Sequence, residues 1–203
     1  MFIRFRLKSK SMISLIGFVS LITTSSANAE LKSTESVSWY HMSYDSFVKL
    51  PEVNDLVNWQ YPNYPLLEAA IFQCTNEERM KMEITPLNYS VALNKSSTYH
   101  SVAMAKYKFF SHENNYQKTM RTFDQRMIHY GAHYHSYGEN IAYSEFDSCT
   151  YLDIARNIVS LWMNSEGHRH NILNSDYSEL GCGVQISQMK YWKRVYATQD
   201  FGG

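Results

Sequence analysis

The spacing of apolar residues predicts helices between Pro65 and Met163 and strands near the end of the chain. From Pro65 onward, apolar residues recur at intervals of three and four, which is typical of one buried helix face. The same spacing predicts further helices over 90–108, 117–129 and 151–163. Alternating apolar residues predict strands over 183–187 and 191–198, with a hairpin turn between them. Helices followed by an antiparallel hairpin indicate an α+β fold.

Residues 1–29 have the composition of a cleavable signal peptide. A basic start is followed by an apolar run from Met12 to Ile22, and Ala27-Asn28-Ala29 matches the small-x-small cleavage pattern. The run is shorter than the roughly 20 residues that span a bilayer. We therefore expect export with cleavage after Ala29, to a periplasm or the extracellular medium; an uncleaved anchor is the alternative.

Removal of residues 1–29 changes the charge of the chain. The segment contains four of the 19 Lys and Arg residues and none of the 19 Asp and Glu residues, which leaves a net charge of −4. A mildly acidic protein without a basic stripe does not have the footprint of a nucleic-acid-binding protein. No further membrane-length apolar segment follows.

Residues 30–64 precede the helical pattern and differ from it in composition. They contain two tryptophans, several tyrosines and two prolines, with Pro65 directly after them, but little periodicity. Because aromatic residues argue against a disordered linker, we interpret 30–64 as an N-terminal extension that packs on the domain or on a partner. The domain itself then covers 65–203.

The three cysteines Cys74, Cys149 and Cys182 all lie beyond the predicted signal peptide. In an oxidising compartment, one disulfide and one free thiol is the simplest arrangement. The sequence does not select the pair, and Cys74–Cys149 is the pairing that we favour. Their wide spacing argues against a zinc site built from these cysteines.

Several short motifs occur in a fixed order along 66–203. They are Asn76-Glu77-Glu78-Arg79, Phe109-Phe110-Ser111-His112, Gly138-Glu139-Asn140-Ile141-Ala142, Trp162 followed by Ser165 and Gly167-His168-Arg169-His170-Asn171-Ile172-Leu173, and Gly181-Cys182-Gly183. In this order they resemble the CAP superfamily of cysteine-rich secretory, antigen 5 and pathogenesis-related 1 proteins, most closely its bacterial-type members. The resemblance implies an α-β-α sandwich in which helices cover a small antiparallel sheet.

The resemblance also implies a cleft lined by His112, Glu139 and His168. Two imidazoles facing a carboxylate can hold a divalent metal such as zinc, or the carboxylate can orient a histidine that activates water. Larger members of the family carry a second glutamate where this chain has Ser165. We therefore expect three ligands and an open position. His135, shortly before Gly138-Glu139, is an alternative to His112 as the first cleft histidine.

Other polar residues of the motifs are expected to support the cleft loops. These are Asn140, Ser165, Arg169 and Asn171. Asn140 and Asn171 are expected to act by hydrogen-bonding backbone groups.

Three functions are compatible with these motifs. The first is an exported binding protein whose cleft takes a divalent metal, a small molecule or a lipid. The second is a hydrolase that uses the histidines and Glu139, although the chain has no Gly-x-Ser-x-Gly or His-Glu-x-x-His motif. The third is an extracellular interaction module with an inactive cleft, whose aromatic extension binds a protein partner. We favour binding over catalysis.

Overall fold

A computed structural model describes residues 38–203 of the chain and shows a three-layer α-β-α sandwich. The helices of this part are α1 (Tyr44–Phe47), α2 (Pro51–Asn54), α3 (Tyr64–Lys81), α4 (Val91–Tyr107), α5 (Phe123–His129), α6 (Tyr151–Met163) and α7 (Glu166–Leu173), with a 3-10 turn at Lys118–Met120. The strands are β1 (Asn88–Tyr89), β2 (Tyr137–Phe146), β3 (Glu179–Gln188) and β4 (Lys193–Gly202). The predicted signal peptide and residues 30–37 lie outside the described residues.

The sheet has the order β1-β3-β4-β2. The two long ladders, β2 with β4 and β3 with β4, are antiparallel. Strand β1 adds a short parallel pair beside β3, with Asn88 opposite Glu179, so the complete sheet is mixed. The predicted α+β sandwich is confirmed, and β2 forms one edge of its sheet.

Helices cover both faces of the sheet because successive side chains of a strand point to opposite sides. On β2, Ile141 packs with Met104 of α4. Its neighbour Ala142 points the other way, into the large core that contains Ile71 of α3 and Ile158 of α6. Helices α3 and α6 therefore form one outer layer, and α4 forms the other.

Two glycines of β3 let α4 lie directly on the sheet. A Cβ atom on Gly181 would overlap the backbone of α4 at Leu93 and Asn94, and one on Gly183 would overlap it at Ser97 and Thr98. The Gly-Cys-Gly motif thus sets the closeness of helix–sheet packing. Between the glycines, Cys182 points to the opposite face and is fully buried in the α3 side of the core.

Residues 38–64 pack against the rest of the domain. Phe47 and Val53 are fully buried in the same core as α3, and Trp39 also belongs to it. Gln73 of α3 donates its side-chain N–H groups to the carbonyl oxygens of Trp39 (2.6 Å) and Met42 (3.1 Å). These aromatic and apolar residues are covered by this chain itself.

The predicted helices agree with the structure except over 117–129. That stretch is a 3-10 turn followed by α5 rather than a single helix. The reason is a new helix start: the backbone N–H of Thr122 donates to Oε1 of Gln125, as in a capping box (3.3 Å). The two predicted strands are longer than expected, and the sequence patterns did not predict β2.

All three cysteines are free thiols in the structure, so the predicted disulfide is not confirmed. Cys74 lies on α3, Cys149 precedes α6, and Cys182 lies on β3. Burial raises the pKa of Cys74 to about 12 and that of Cys149 to about 11. Since the thiolate is the reactive form, burial keeps both thiols in their unreactive state.

Candidate functional site

The predicted site residues come from three different elements. His112 lies in the loop after α4, Glu139 on the edge strand β2, and His168 on α7. Helix α4 ends where Lys108 adopts a left-handed conformation (φ 56°), which turns the chain into this loop. Buried His100 contacts this loop, because its Nε2 lies 2.9 Å from the carbonyl oxygen of Ser111.

His112 and Glu139 are in direct contact. Nδ1 of His112 lies 2.8 Å from Oε1 of Glu139. The glutamate side chain has no exposed surface, whereas 48% of the histidine side chain is exposed. The contact therefore joins a buried carboxylate to an imidazole that faces solvent.

A buried arginine completes the environment of the carboxylate. Arg126 of α5 donates from Nη2 to Oε2 of Glu139, and from Nη1 to the carbonyl oxygens of His112 (3.2 Å) and Arg121 (2.9 Å). Burial alone would raise the pKa of Glu139, but the hydrogen bond from His112 and the charge of Arg126 outweigh burial and lower it. Glu139 is consequently ionised.

No sequence pattern indicated a role for Arg126. It falls in a helical stretch with other charged residues, where an arginine is ordinarily solvated. Its partner Glu139 is 13 residues away, across a turn and the start of a strand.

A second carboxyl group lies beside Glu139. Asp200 of β4 is its register partner in the β2–β4 ladder and is fully buried. Within the described residues, neither oxygen of Asp200 has a hydrogen-bond partner. Burial, followed by the charge of Glu139, raises the pKa of Asp200 well above its usual value. The environment therefore favours the protonated form of Asp200 next to the ionised Glu139.

His168 lies close enough to His112 for the two charges to interact, and two asparagines fix its backbone. Asn140 donates from Nδ2 to the carbonyl oxygen of His168 (3.0 Å), and Asn171 donates from Nδ2 to Oδ1 of Asn140 (2.9 Å). Asn171 also lies 3.3 Å from the carbonyl oxygen of Glu139. Burial, followed by the charge of nearby His112, lowers the pKa of His168, so its imidazole is neutral at pH 7.

The remaining predicted residues lie around the site without contacting the carboxylate of Glu139. His135 is exposed, and its backbone N–H donates to the carbonyl oxygen of Gly203 (3.0 Å). Ser165 is the N-cap residue of α7, and Arg169 donates to the carbonyl oxygen of Met163 (2.9 Å). The structure therefore brings His112, and not His135, to Glu139.

Within residues 38–203, no three His, Cys, Asp or Glu side chains are grouped so that they could hold a metal ion. Both oxygens of Glu139 are already engaged, by His112 and by Arg126. Of the three predicted ligands, Nε2 of His112 and the imidazole of His168 therefore remain as candidates.

Comparison with known proteins shows which family this chain is similar to. The family model described as the cysteine-rich secretory protein family, CAP, matches residues 72–201. The uncharacterized protein YkwD of Bacillus subtilis is 34% identical over 136 residues, which are 67% of this chain and 47% of YkwD. The uncharacterized membrane protein YlbC of the same organism is 33% identical over 134 residues, which are 66% of this chain and 34% of YlbC.

One solved structure is similar in both sequence and fold. It is an extracellular protein containing an SCP domain from Bacillus anthracis, with a TM-score of 0.53 and 27% identity, covering 68% of this chain and 40% of that one. This chain spans less than half the length of each of these three proteins. In residues 38–203, no helix is both long enough and apolar enough to cross a bilayer. From the family match over 72–201 and the sandwich fold, the chain belongs to the CAP family of cysteine-rich secretory proteins.

Proposed function

We propose that the chain is an exported binding protein whose cleft takes a divalent metal ion, with zinc as the first candidate, on His112 and His168. The observation that carries this proposal is the 2.8 Å contact between Nδ1 of His112 and Oε1 of Glu139. An ionised carboxylate accepts hydrogen bonds, so Nδ1 is the donor, and in the neutral tautomer that a metal binds the lone pair is on Nε2. This lone pair belongs to a half-exposed ring and is available to a metal.

In this arrangement Glu139 orients a ligand rather than binding the metal itself. A carboxylate that accepts the second N–H of a metal-binding histidine fixes the ring and raises its basicity. Direct ligation by Glu139 would compete with its bond to His112 at Oε1 or with its bond to Arg126 at Oε2, and losing the second would leave a buried arginine without its counter-charge. The geometry thus favours two imidazole ligands over the three ligands that the motifs predicted.

His168 is suited to be the second ligand because metals bind the neutral imidazole. Burial and the neighbouring His112 both lower the pKa of His168, which favours the neutral form. With two protein ligands, the remaining positions of a tetrahedral ion are left for water or for a small ligand.

Zinc titration by calorimetry tests this assignment. We expect the wild type to bind one ion, and His112→Ala and His168→Ala each to weaken binding at least about tenfold. His135→Ala is the matched control, since that histidine is exposed and not in contact with Glu139. Equal affinity in all four proteins, or loss only in His135→Ala, would show that the assignment is wrong.

Hydrolysis is the second candidate, and the same contact favours it. A carboxylate that orients a half-exposed histidine is also the arrangement of a general base that activates water. Turnover of simple esters by the wild type and by His135→Ala, but not by His112→Ala, would support this function.

Export is part of the proposal and is supported by two observations. Residues 1–29 have the pattern of a cleavable signal peptide, and the similar Bacillus anthracis protein is described as extracellular. The intact mass of the protein recovered outside the cytoplasm should correspond to a chain that begins at Glu30. A mass that includes 1–29 would indicate an uncleaved anchor.

A further inference from the structure

The turn between β3 and β4 exposes two adjacent aromatic side chains. Tyr191 is 69% exposed and Trp192 is 39% exposed, and their ring centroids are 6.1 Å apart. Neither belongs to the apolar clusters of the described domain. The backbone N–H of Met189 donates to the carbonyl oxygen of Trp192 (2.9 Å), so the turn is closed and the two rings are held at its end. We refer to 189–193 as the hairpin tip.

The hairpin tip is also basic. No Asp or Glu occurs between positions 180 and 199, whereas Lys190, Lys193 and Arg194 lie at or beside the turn. Arg194 forms an ion pair with Glu145 of β2. Within 38–203, neither lysine is paired with an acid, and Nζ of Lys190 lies 4.8 Å from the ring centre of Tyr191.

The tip is separate from the histidine cleft. On β4, the position opposite Glu139 is Asp200, which is seven residues from Lys193. At roughly 3.3 Å per residue, this places the tip about 23 Å along the sheet from the cleft. A ligand in the cleft does not account for the exposed rings at the tip.

We propose that the hairpin tip docks on the surface of a bilayer that contains anionic phospholipids. Tyrosine and tryptophan suit the headgroup region, where the ring is buried and its polar edge stays wet. Two unpaired lysines beside the rings match the negative charge of the lipid phosphates. The chain without 1–29 carries a net charge of −4, so the attraction must come from this local basic site and not from the protein as a whole.

Co-sedimentation with phosphatidylcholine vesicles, with and without phosphatidylglycerol, tests the proposal on the exported, processed protein. We expect binding to the anionic vesicles and little binding to pure phosphatidylcholine. The double substitution of Tyr191→Ser with Trp192→Ser should weaken binding at least about tenfold, because it removes the inserted apolar surface. Lys190→Gln with Lys193→Gln should weaken it about fivefold per lysine.

Tyr61→Ser is the matched control, because Tyr61 is 73% exposed and lies outside the tip. This variant should bind vesicles as the wild type does. A blue shift of the fluorescence that is absent in Trp192→Phe would locate the contact at the tip. The proposal is overturned if the wild type ignores anionic vesicles, if it binds neutral ones equally well, or if the tip variants bind unchanged.

Discussion

A buried carboxyl group outside the predicted site offers a sharp test of the electrostatics of this fold. Glu68 of α3 lies in the interior between α4 and β3. Its Oε1 accepts hydrogen bonds from Oγ1 of Thr98 (2.9 Å) and from the backbone N–H of Val184 (3.4 Å). Its Oε2 accepts one from Nδ2 of Asn94 (3.2 Å). No cation of the described domain pairs with Glu68.

Burial of Glu68 without a cation has a calculable effect on stability. Burial raises its pKa from 4.5 to about 7, although its three hydrogen bonds act in the opposite direction. A raised pKa in the folded state means that the contribution to stability is complete below pH 4.5 and is lost as the pH rises through 7. At about 1.4 kcal/mol per pH unit, the loss is about 3 kcal/mol.

Glu68→Gln should therefore stabilise the protein at high pH. The amide oxygen can keep the bonds from Thr98 and Val184. The new N–H₂ group can donate to Oδ1 of Asn94 once the Asn94 amide turns over, because Nδ2 faces this position in the wild type. We expect the variant to exceed the wild type by about 2–3 kcal/mol at pH 8 and to match it near pH 4.5. Urea unfolding followed by intrinsic fluorescence measures both differences.

The control is Glu78→Gln, the same substitution on the same helix at a more exposed position. It should change the free energy of unfolding by less than about 1 kcal/mol at either pH. At each pH the variant must be compared with the wild type, because His100 also makes the stability of both proteins depend on pH. Burial lowers the pKa of His100 to about 4, and its contribution is lost as the pH falls from 6.5 towards 4, opposite to that of Glu68. A Glu68→Gln variant that is less stable than the wild type at pH 8 would refute the reasoning.

In each of two further pairs of variants, the two members should change the free energy of unfolding by clearly different amounts. Glu139→Gln should cost about 3 kcal/mol or more at pH 7, because it leaves Arg126 buried without a counter-charge. Asp200→Asn should cost less than about 1 kcal/mol, since burial raises the pKa of that carboxyl and favours its neutral form; the reverse order would mean that the charges are misassigned. Gly183→Ala should cost about 3 kcal/mol by pushing α4 off the sheet. An added Cβ at Gly167 meets no atom within 4 Å, so Gly167→Ala should raise the free energy of unfolding by up to about 1 kcal/mol. Equal effects of the two glycine substitutions would contradict the packing argument.

The sequence predicted those elements whose buried face follows a simple period. Helix α6 matches its predicted bounds of 151–163, because its apolar residues recur on one face. Strand β2 was missed because its two faces carry buried polar residues. Glu139 points towards His112 and Arg126, and Asn140 points towards α7 and Gln199. Neither side chain contributes to an apolar alternation, so the pattern of a strand is hidden.

The site was predictable only as far as its motifs extend. His112, Glu139 and His168 each stand in a recognisable motif, and the structure places His112 and Glu139 in contact. Arg126 stands in no motif, and the resemblance assigned no cleft role to Asp200. Both reach Glu139 only through the folding of α5 and the pairing of β4. Contacts of this kind depend on the three-dimensional arrangement, which local sequence does not encode.

The same contacts explain which residues can test function and which cannot. Arg126 binds both the carboxylate of Glu139 and the backbone oxygen of His112, so one buried network fixes the ring and the loop that carries it. Replacing a member of this network removes an ion pair from the interior, and any loss of binding would then be mixed with a loss of stability. The imidazole of His168 lies beyond the network, on a partly exposed side chain, whereas His112 donates to the buried carboxylate. Loss of metal binding in His168→Ala therefore separates ligand binding from folding, and for His112→Ala the free energy of unfolding must be measured beside the affinity.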